Sequence, residues 1–143
     1  MQSPPEILVR RADWPGELEL LRAIRDEVFV LEQSVPIEIE WDEFDPVSQH
    51  VLAWSGDRAI GTGRLLPDGH IGRMAVLREW RQRGVGSAML TALMEVARTS
   101  GMSRVELNAQ LHAMAFYERH GFRAEGEEFL DAGIVHRRMW REL

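Results

Sequence analysis

The sequence predicts an α+β fold of three layers, in which one mixed β-sheet is covered by helices on both faces. Three observations support this: long stretches with the period of an amphipathic helix, short apolar stretches with the length of strands, and glycine-containing turns between them. Elements in the order β-α-loop-β-β-β-α-β-α-β-β bury their apolar faces when the helices pack on a shared sheet. With 143 residues, no internal repeat and no linker, the chain is predicted to form one domain over residues 7–143.

The chain is predicted to begin with a short strand at residues 7–9 and an amphipathic helix at residues 15–30. Apolar residues in the helix recur at steps of three and four, which is the period of one buried helical face. Residues 32–48 are harder to assign, because Pro36 and Pro46 bracket a stretch that alternates like a strand. We predict a loop or a short irregular element there.

The remainder of the chain is predicted to form most of the sheet and two further helices. The helix at residues 84–100 has only a narrow polar stripe, so it is expected to be largely buried against the sheet. Turn residues, such as those around Gly56 and Gly69, separate the strands. The predicted strands span residues 51–54, 59–66, 70–76, 104–109, 122–129 and 134–140, and the last helix spans residues 112–120.

Composition excludes several classes of protein. The chain has no cysteine, so a disulfide framework, a thiolate metal site and a cysteine nucleophile are excluded together. No pair among the five histidines has the spacing of a metal motif, and we predict no metal. The net charge of −6 argues against nucleic acid as a partner. Without a signal sequence or a long apolar stretch, the chain is expected to be cytoplasmic and to have no membrane partner.

Charge is unevenly distributed along the chain. Residues 38–45 contain five carboxylates, whereas residues 73–83 contain four arginines. An acidic and a basic segment on one small domain suggest a ligand with a cation at one end and phosphates at the other. Two solvated surfaces would explain the same pattern equally well.

The most informative motif is the turn Arg81-Gln82-Arg83-Gly84-Val85-Gly86, between a predicted strand and the helix that begins at Gly84. The first N–H groups of a helix have no intrahelical partner and carry partial positive charge, so an anion there gains several donors. Gly84 and Gly86 have no Cβ atom, which allows close approach to the backbone. Arg81 and Arg83 can add charge-assisted hydrogen bonds.

Two other phosphate-binding motifs do not fit this turn. A P-loop ends in Gly-Lys-Ser/Thr, and no lysine follows the glycines here. A dinucleotide-binding fingerprint has three glycines after the first strand of a βαβ unit, whereas this turn has two and follows a late strand. The pattern that is left is R-x-x-G-x-G between a strand and a helix.

Together with a second motif, this turn resembles the GCN5-related N-acetyltransferase (GNAT) superfamily. The second motif is F-Y-x-x-x-G-F, at residues 116–122. The resemblance covers residues 7–140 and implies a mixed, mostly antiparallel sheet of six to seven strands that splays to admit acyl-CoA. The segment V-F-V-x-E-Q-x-V-P at residues 28–36 also looks like one subgroup of small bacterial members.

The resemblance implies that acetyl-CoA is bound as a co-substrate by three groups of residues. The strand that precedes the turn pairs with the pantetheine arm, and the turn wraps the pyrophosphate. The strand at residues 104–109 and the helix at residues 112–120 flank the lower pantetheine and the thioester. These groups are Met74, Ala75 and Val76; Arg81, Arg83, Gly84, Val85, Gly86 and Ser87; and Asn108, Ala113 and Phe116.

Tyr117 is the residue that the resemblance identifies as the general acid, which protonates the departing CoA thiolate. A phenol with an ordinary pKa of about 10 is protonated at neutral pH and suits this role. The alternative is an aromatic residue of the core without a catalytic role. Tyr117 is the one tyrosine in the sequence.

The sequence contains less specific evidence about the residues that bind and deprotonate the acceptor amine. Glu32, Glu40 and Asp42 are candidate general bases that would take a proton from the attacking amine, although each of them also suits a structural or solvated position. Trp41 is predicted to line the acceptor pocket because its neighbours are acidic, with cation–π attraction to an amine. His112 and His136 are weaker candidates for the same wall.

The function predicted from these features is transfer of an acetyl group from acetyl-CoA to an amine of a small molecule or a peptide. The acid-rich segment favours a cationic acceptor. The alternative is a non-catalytic sensor that binds acyl-CoA on the same fold. The resemblance also implies a homodimer formed through the closing strands.

Overall fold

A computed structural model describes residues 6–143 as one seven-stranded sheet with helices on both of its faces. The helices are α1 (Trp14–Arg25), α2 (Ile37–Glu40), α3 (Val85–Thr99) and α4 (Met114–Arg119), and none of them is long and apolar enough to cross a membrane. The strands are β1 (Ile7–Arg11), β2 (Gln49–Ser55), β3 (Arg58–Leu65), β4 (His70–Val76), β5 (Arg104–Gln110), β6 (Arg123–Asp131) and β7 (Ile134–Glu142).

The sheet is mixed and mostly antiparallel, as predicted, and its two halves are joined over a very short distance. The strand order is β1-β2-β3-β4-β5-β7-β6, and β4 with β5 is the one parallel pair in it. These two strands pair only through His70 with Glu106 and through Ile71 with Leu107, a contact that we call the joint. Beyond the joint β4 and β5 separate, which confirms the predicted splayed sheet.

The predicted first helix is present, but its winding changes part-way along. After α1 ends at Arg25, the chain continues as a wider π-helix over Asp26–Glu32. The Val35 N–H donates to the Phe29 carbonyl at 2.9 Å where this segment ends. Wider helical turns of this kind are frequent at functional sites, and Phe29 lines the cavity at the open part of the sheet.

Two apolar cores hold the sheet from its two faces. On one face α3 contributes Met89, Leu90 and Leu93, which are fully buried against the strands, as the narrow polar stripe of this helix predicts. On the other face Leu21 and Ile24 of α1 belong to a second buried cluster. Burial of such side chains stabilises each layer by about 1.5–3 kcal/mol per residue, so the position of β4 is fixed from both sides.

The segment that was difficult to assign from the sequence is anchored by buried charge. Arg25 Nε donates to Glu40 Oε1 at 2.7 Å, and Arg25 Nη1 donates to Asp45 Oδ1 at 2.7 Å. All three residues are 1% exposed. Apart from the single turn α2 and a 3₁₀ turn at Asp45–Val47, this stretch has little regular structure, so the ion pairs hold it against α1.

Further side chains extend these pairs into a cluster. Arg64 Nη1 donates to Asp42 Oδ1 at 2.7 Å and to Asp45 Oδ1 at 2.9 Å. Arg73 Nη2 donates to Asp42 Oδ2 at 3.3 Å. We call the six side chains the ion cluster, and their formal charges cancel. Its members are Arg25, Arg64, Arg73, Glu40, Asp42 and Asp45.

The pKa values of the two deepest carboxylates of the ion cluster shift in opposite directions. For Asp45, burial alone would raise the pKa, but hydrogen bonds from Arg25, from the Asp42 N–H and from Arg64 lower it to about 2. For Glu40, burial outweighs the attraction of Arg25 and Arg73, and the pKa is raised. A lowered pKa means that the stabilisation from ionised Asp45 is complete above about pH 4 and is lost as the pH falls towards 2.

Substitution of Arg25 tests how strongly the ion cluster depends on each member. Arg25→Met leaves Glu40 and Asp45 buried without their shared cation, and we expect the free energy of unfolding to fall by about 3–5 kcal/mol in urea denaturation. The matched control is Arg58→Met, which removes an arginine whose ion pair with Glu79 is about half exposed. This control should lose little stability. Equal losses in the two variants would contradict the role assigned to the cluster.

Candidate active site

A cavity of about 460 Å³ occupies the place where β4 and β5 separate. Met74 of β4 and Asn108 of β5 lie on opposite walls, and Tyr117 of α4 also lines the cavity. Glu40 and Asp42 of the ion cluster form part of the wall on the side of the anchored segment. The cavity therefore brings together the predicted thioester region and two of the three predicted bases.

A bulge in β4 shapes one wall of this cavity. Thr62 pairs with Ala75 and Arg64 pairs with Gly72, so β4 has one more residue than β3 over the same interval. The extra length is taken up at Arg73, whose φ is +48°, an uncommon value for a residue with a side chain. Bulges interrupt strand pairing and redirect side chains, and this one lies next to Met74 at the edge of the opening.

The glycine turn forms the N-terminus of α3, as the sequence predicts. Gly84 is the N-cap residue with φ +83°, a left-handed conformation that favours glycine, and no side-chain hydrogen bond caps the helix. A Cβ atom on Gly86 would lie 3.4 Å from the Phe116 ring, which is ordinary van der Waals contact. Packing within the protein therefore does not require glycine at position 86. Val85 differs from its neighbours, since its side chain is buried in the core.

The two arginines of the turn have partners in the protein. Arg81 Nε donates to the Val76 carbonyl at 2.9 Å, and Arg81 Nη2 donates to Glu32 Oε1 at 2.9 Å. The Arg83 guanidinium lies 5.2 Å from the centre of the Trp80 ring. Arg81 thus ties the turn to the open edge of β4 and to the end of the π-helix.

Tyr117 is held between aromatic rings at the base of the cavity. Its ring meets Phe116 edge-on at 5.1 Å and Phe122 at 5.9 Å. Its hydroxyl donates to the Met74 sulfur at 3.9 Å. Burial raises the pKa of Tyr117 to about 12, so the phenol keeps its proton throughout the neutral range.

The three candidate bases have different surroundings. Glu40 lines the cavity and has one buried carboxylate oxygen, Oε2, without a hydrogen-bond partner. Both oxygens of Asp42 accept from Arg64, at 2.7 and 3.0 Å. Glu32 is not part of the cavity wall and pairs with Arg81 and Arg78 instead. The structure brings two of these carboxylates to the cavity and leaves the third beside the glycine turn.

One prediction about the acceptor wall is wrong. Trp41 does not line the cavity. Its ring covers the Arg25 guanidinium at 3.9 Å, and its Nε1 donates to Asp26 at 3.3 Å. The acidic neighbours that suggested a pocket residue are members of the ion cluster, and the cation over the ring comes from the protein itself.

Histidine and arginine side chains complete the wall. His112 and His136, the two weaker candidates, both line the cavity. The His136 Nδ1 lies 2.7 Å from the Ile134 carbonyl, which makes it a donor. Arg64 and Arg73 also line it and were missed, because nothing in the local sequence links them to residues 38–45. Among residues 6–143, no group of three or more metal-binding side chains is arranged to hold a metal ion.

The chain is similar to acetyltransferases along almost its whole length. A family model described as an acetyltransferase (GNAT) domain matches residues 17–143. YjcF of Bacillus subtilis, named an uncharacterized N-acetyltransferase, is 43% identical over 123 residues, which cover 83% of this chain and 88% of YjcF.

Two crystal structures extend the similarity to three dimensions. An acyl-CoA N-acyltransferase from Pseudomonas aeruginosa has a TM-score of 0.80 and 32% identity, with 96% of this chain and 99% of that chain covered. Escherichia coli ElaA has a TM-score of 0.83 and 28% identity, with 96% of this chain and 100% of that chain covered. Both contain the same fold over the whole of the region that forms the cavity.

The raised pKa of Tyr117 can be tested spectroscopically, because it is the one tyrosine in the sequence. At about pH 11 the folded protein should show little tyrosinate absorbance, whereas the urea-unfolded chain should be mostly ionised. The same shift predicts that stability falls as the pH rises between about 10 and 12, since the folded state retains a proton that the unfolded chain loses. Equal tyrosinate signals in the folded and unfolded chain would contradict this environment.

Proposed function

Since this chain belongs to the GNAT acetyltransferase family, we propose that it transfers an acetyl group from acetyl-CoA to an amine of a small molecule or a peptide. The observation that carries the proposal is the cavity between the separated strands β4 and β5, with Met74, Asn108 and Tyr117 in its walls. An unpaired strand edge beside an uncapped helix N-terminus suits a ligand with both an amide-containing arm and phosphates.

We assign the binding of acetyl-CoA to residues on three elements. The backbone of β4 pairs with the pantetheine arm along the edge that faces β5, because the pairing of these two strands stops at Ile71. The first turn of α3 and the residues before it hold the pyrophosphate. The residues assigned are Met74, Ala75 and Val76; Arg81, Arg83, Gly84, Val85, Gly86 and Ser87; and Asn108, Ala113 and Phe116.

When bound, acetyl-CoA supplies an acetyl group activated as a thioester. The reaction forms an N–C bond and breaks the C–S bond, so one proton leaves the amine nitrogen and another reaches the sulfur. Tyr117 holds the second proton at its hydroxyl, because burial keeps the phenol protonated. A backbone N–H of the β4 segment Met74–Val76 donates to the carbonyl oxygen and stabilises the negative charge that develops there.

We assign to Glu40 the role of the general base, which accepts the proton that leaves the amine nitrogen. Its Oε2 accepts no hydrogen bond from the residues that the structure describes, and burial raises the pKa of Glu40, so the carboxylate accepts a proton more readily. Asp42 is less suited because Arg64 binds both of its oxygens. Glu32 is less suited because it lies beside the glycine turn with Arg81.

The charge balance of the ion cluster changes the expected acceptor. The sequence favours a cationic molecule attracted by residues 38–45, but Glu40, Asp42 and Asp45 of that segment are paired with three arginines of the chain. An amine is therefore selected less by net charge than by fit to a wall that includes Phe29, Val35 and Phe44. The cytoplasmic location and the homodimer stay predictions.

The proposal is tested by incubating the protein with acetyl-CoA and a panel of amines and peptides, with thiol release as the readout. Turnover with any member of the panel supports the enzyme. Calorimetric binding of acetyl-CoA without turnover across the panel would favour the acyl-CoA sensor instead. Absence of both binding and turnover would contradict both functions.

The role of Tyr117 is tested by Tyr117→Phe, which removes the hydroxyl and keeps the ring. We expect kcat to fall about a hundredfold or more with little change in KM, because the hydroxyl acts on the departing sulfur. Thermal unfolding of the variant controls for a change in packing. An unchanged kcat and pH profile would exclude the hydroxyl as the acid.

The role of Glu40 is tested by Glu40→Gln, with Asp42→Asn as the matched control from the same cluster. For Glu40→Gln we expect kcat to fall about a hundredfold at neutral pH and the deficit to shrink as the pH approaches the pKa of the amine, because the acceptor then loses its proton in solution. Asp42→Asn should show a smaller deficit that does not depend on pH. The same pH-independent loss in both variants would mean that Glu40 has a structural role only.

A further inference from the structure

A serine and a histidine from different helices are in hydrogen-bond contact beside the glycine turn. Ser87 is in the first turn of α3, and its Oγ lies 3.0 Å from Nε2 of His120. His120 follows the last residue of α4 and is 33 residues further along the chain. Both residues are half-buried, so this contact competes less with water than a surface contact would.

The position of the His120 ring is fixed by neighbours other than Ser87. The Phe116 ring, one turn earlier in α4, lies 4.9 Å away at an angle of 58°. The His120 carbonyl accepts from Arg141 Nη1 of β7 at 2.7 Å. Contacts from α4 and from the sheet thus hold the imidazole against the first turn of α3.

The direction of the hydrogen bond between the two side chains decides what Ser87 can offer to a ligand. A serine hydroxyl has one proton, and a neutral imidazole nitrogen is either a donor or an acceptor. If Ser87 donates to His120, its oxygen presents only lone pairs to an anion at the helix N-terminus. If His120 Nε2–H donates, the serine proton stays available for that anion.

We propose that His120 is a positioning residue: its Nε2–H donates to Ser87 Oγ and thereby directs the Ser87 hydroxyl proton towards the pyrophosphate of acetyl-CoA. This inference rests on the proposed function, which assigns the pyrophosphate to the first turn of α3. It adds a residue outside the glycine turn to the groups that determine affinity for the phosphates.

The charged groups around His120 give the inference a pH dependence. Burial lowers the pKa of His120, and Arg119 of α4 and Arg141 of β7 lower it further, whereas α3 contributes the uncharged Ser87. The neutral ring can exchange between its two tautomers. Once protonated, it has a donor on both nitrogens, so affinity for the pyrophosphate should rise as the pH falls through this lowered pKa.

The test compares four variants by calorimetric Kd for CoA: Ser87→Ala, His120→Leu, His120→Gln and the double variant Ser87→Ala/His120→Leu. We expect Ser87→Ala and His120→Leu each to weaken binding about tenfold, and the double variant to be no weaker than either one. His120→Gln supplies an uncharged N–H donor, so it should retain most of the affinity but lose the increase at acid pH. Titration of CoA itself is common to all variants and cancels in the comparison.

A donor without phosphates separates this role from a general effect on the fold. With acetyl-pantetheine as donor, His120→Leu and His120→Gln should have the kcat/KM of the unmodified protein. Additive losses in the double variant, or equal losses with acetyl-pantetheine, would overturn the inference and leave the proposed function intact. If the unmodified protein binds no CoA, the proposed function fails, and this inference fails with it.

Discussion

The buried pairing of Arg25 with Glu40 and Asp45 is the interaction on which the acceptor side of the cavity depends. The stretch after the π-helix has too little regular structure to fix its own position, and few of its backbone groups are paired in a ladder. Burying these carboxylates costs several kcal/mol unless each has a cation with good geometry. The observed placement of the segment satisfies Arg25 and Arg64 together. We infer that the ion cluster contributes more to the uniqueness of this placement than to net stability.

The same cluster affects proton transfer in the cavity. Its six charges cancel, so the wall has no large net field of its own. If Glu40 accepts a proton, as we propose, three arginines and two carboxylates of the cluster stay charged, which leaves one excess positive charge. The positive charges of Arg25 and Arg73 oppose this protonated state, but burial outweighs them and the pKa of Glu40 is raised overall. The arginines therefore moderate the rise in the pKa of Glu40, in addition to holding its side chain in place.

The features that were predictable from the sequence are local ones. Residues 70–76 read as a strand and form β4, and residues 84–100 read as a buried helix and form α3, because a period of two or of 3.6 is visible within a few turns. The glycine turn could also be predicted, because its motif consists of consecutive residues. The ion cluster could not be predicted, because Arg64 and Asp42 are 22 residues apart and the sequence does not indicate which arginine pairs with which carboxylate. The error at Trp41 has the same origin, because its cation partner belongs to a different element.

The joint between β4 and β5 has a consequence for how the fold responds to its ligand. Two residue pairs are a weak connection between a four-stranded half and a three-stranded half, so the halves are coupled mainly through the helices that pack across them. Each half can then open as a separate cooperative unit, with its own protection against hydrogen exchange. A ligand that occupies the gap binds to both halves at once and merges the two units into one. If acetyl-CoA binds there as we propose, its pantetheine arm takes the position of a missing strand and connects the two halves of the sheet.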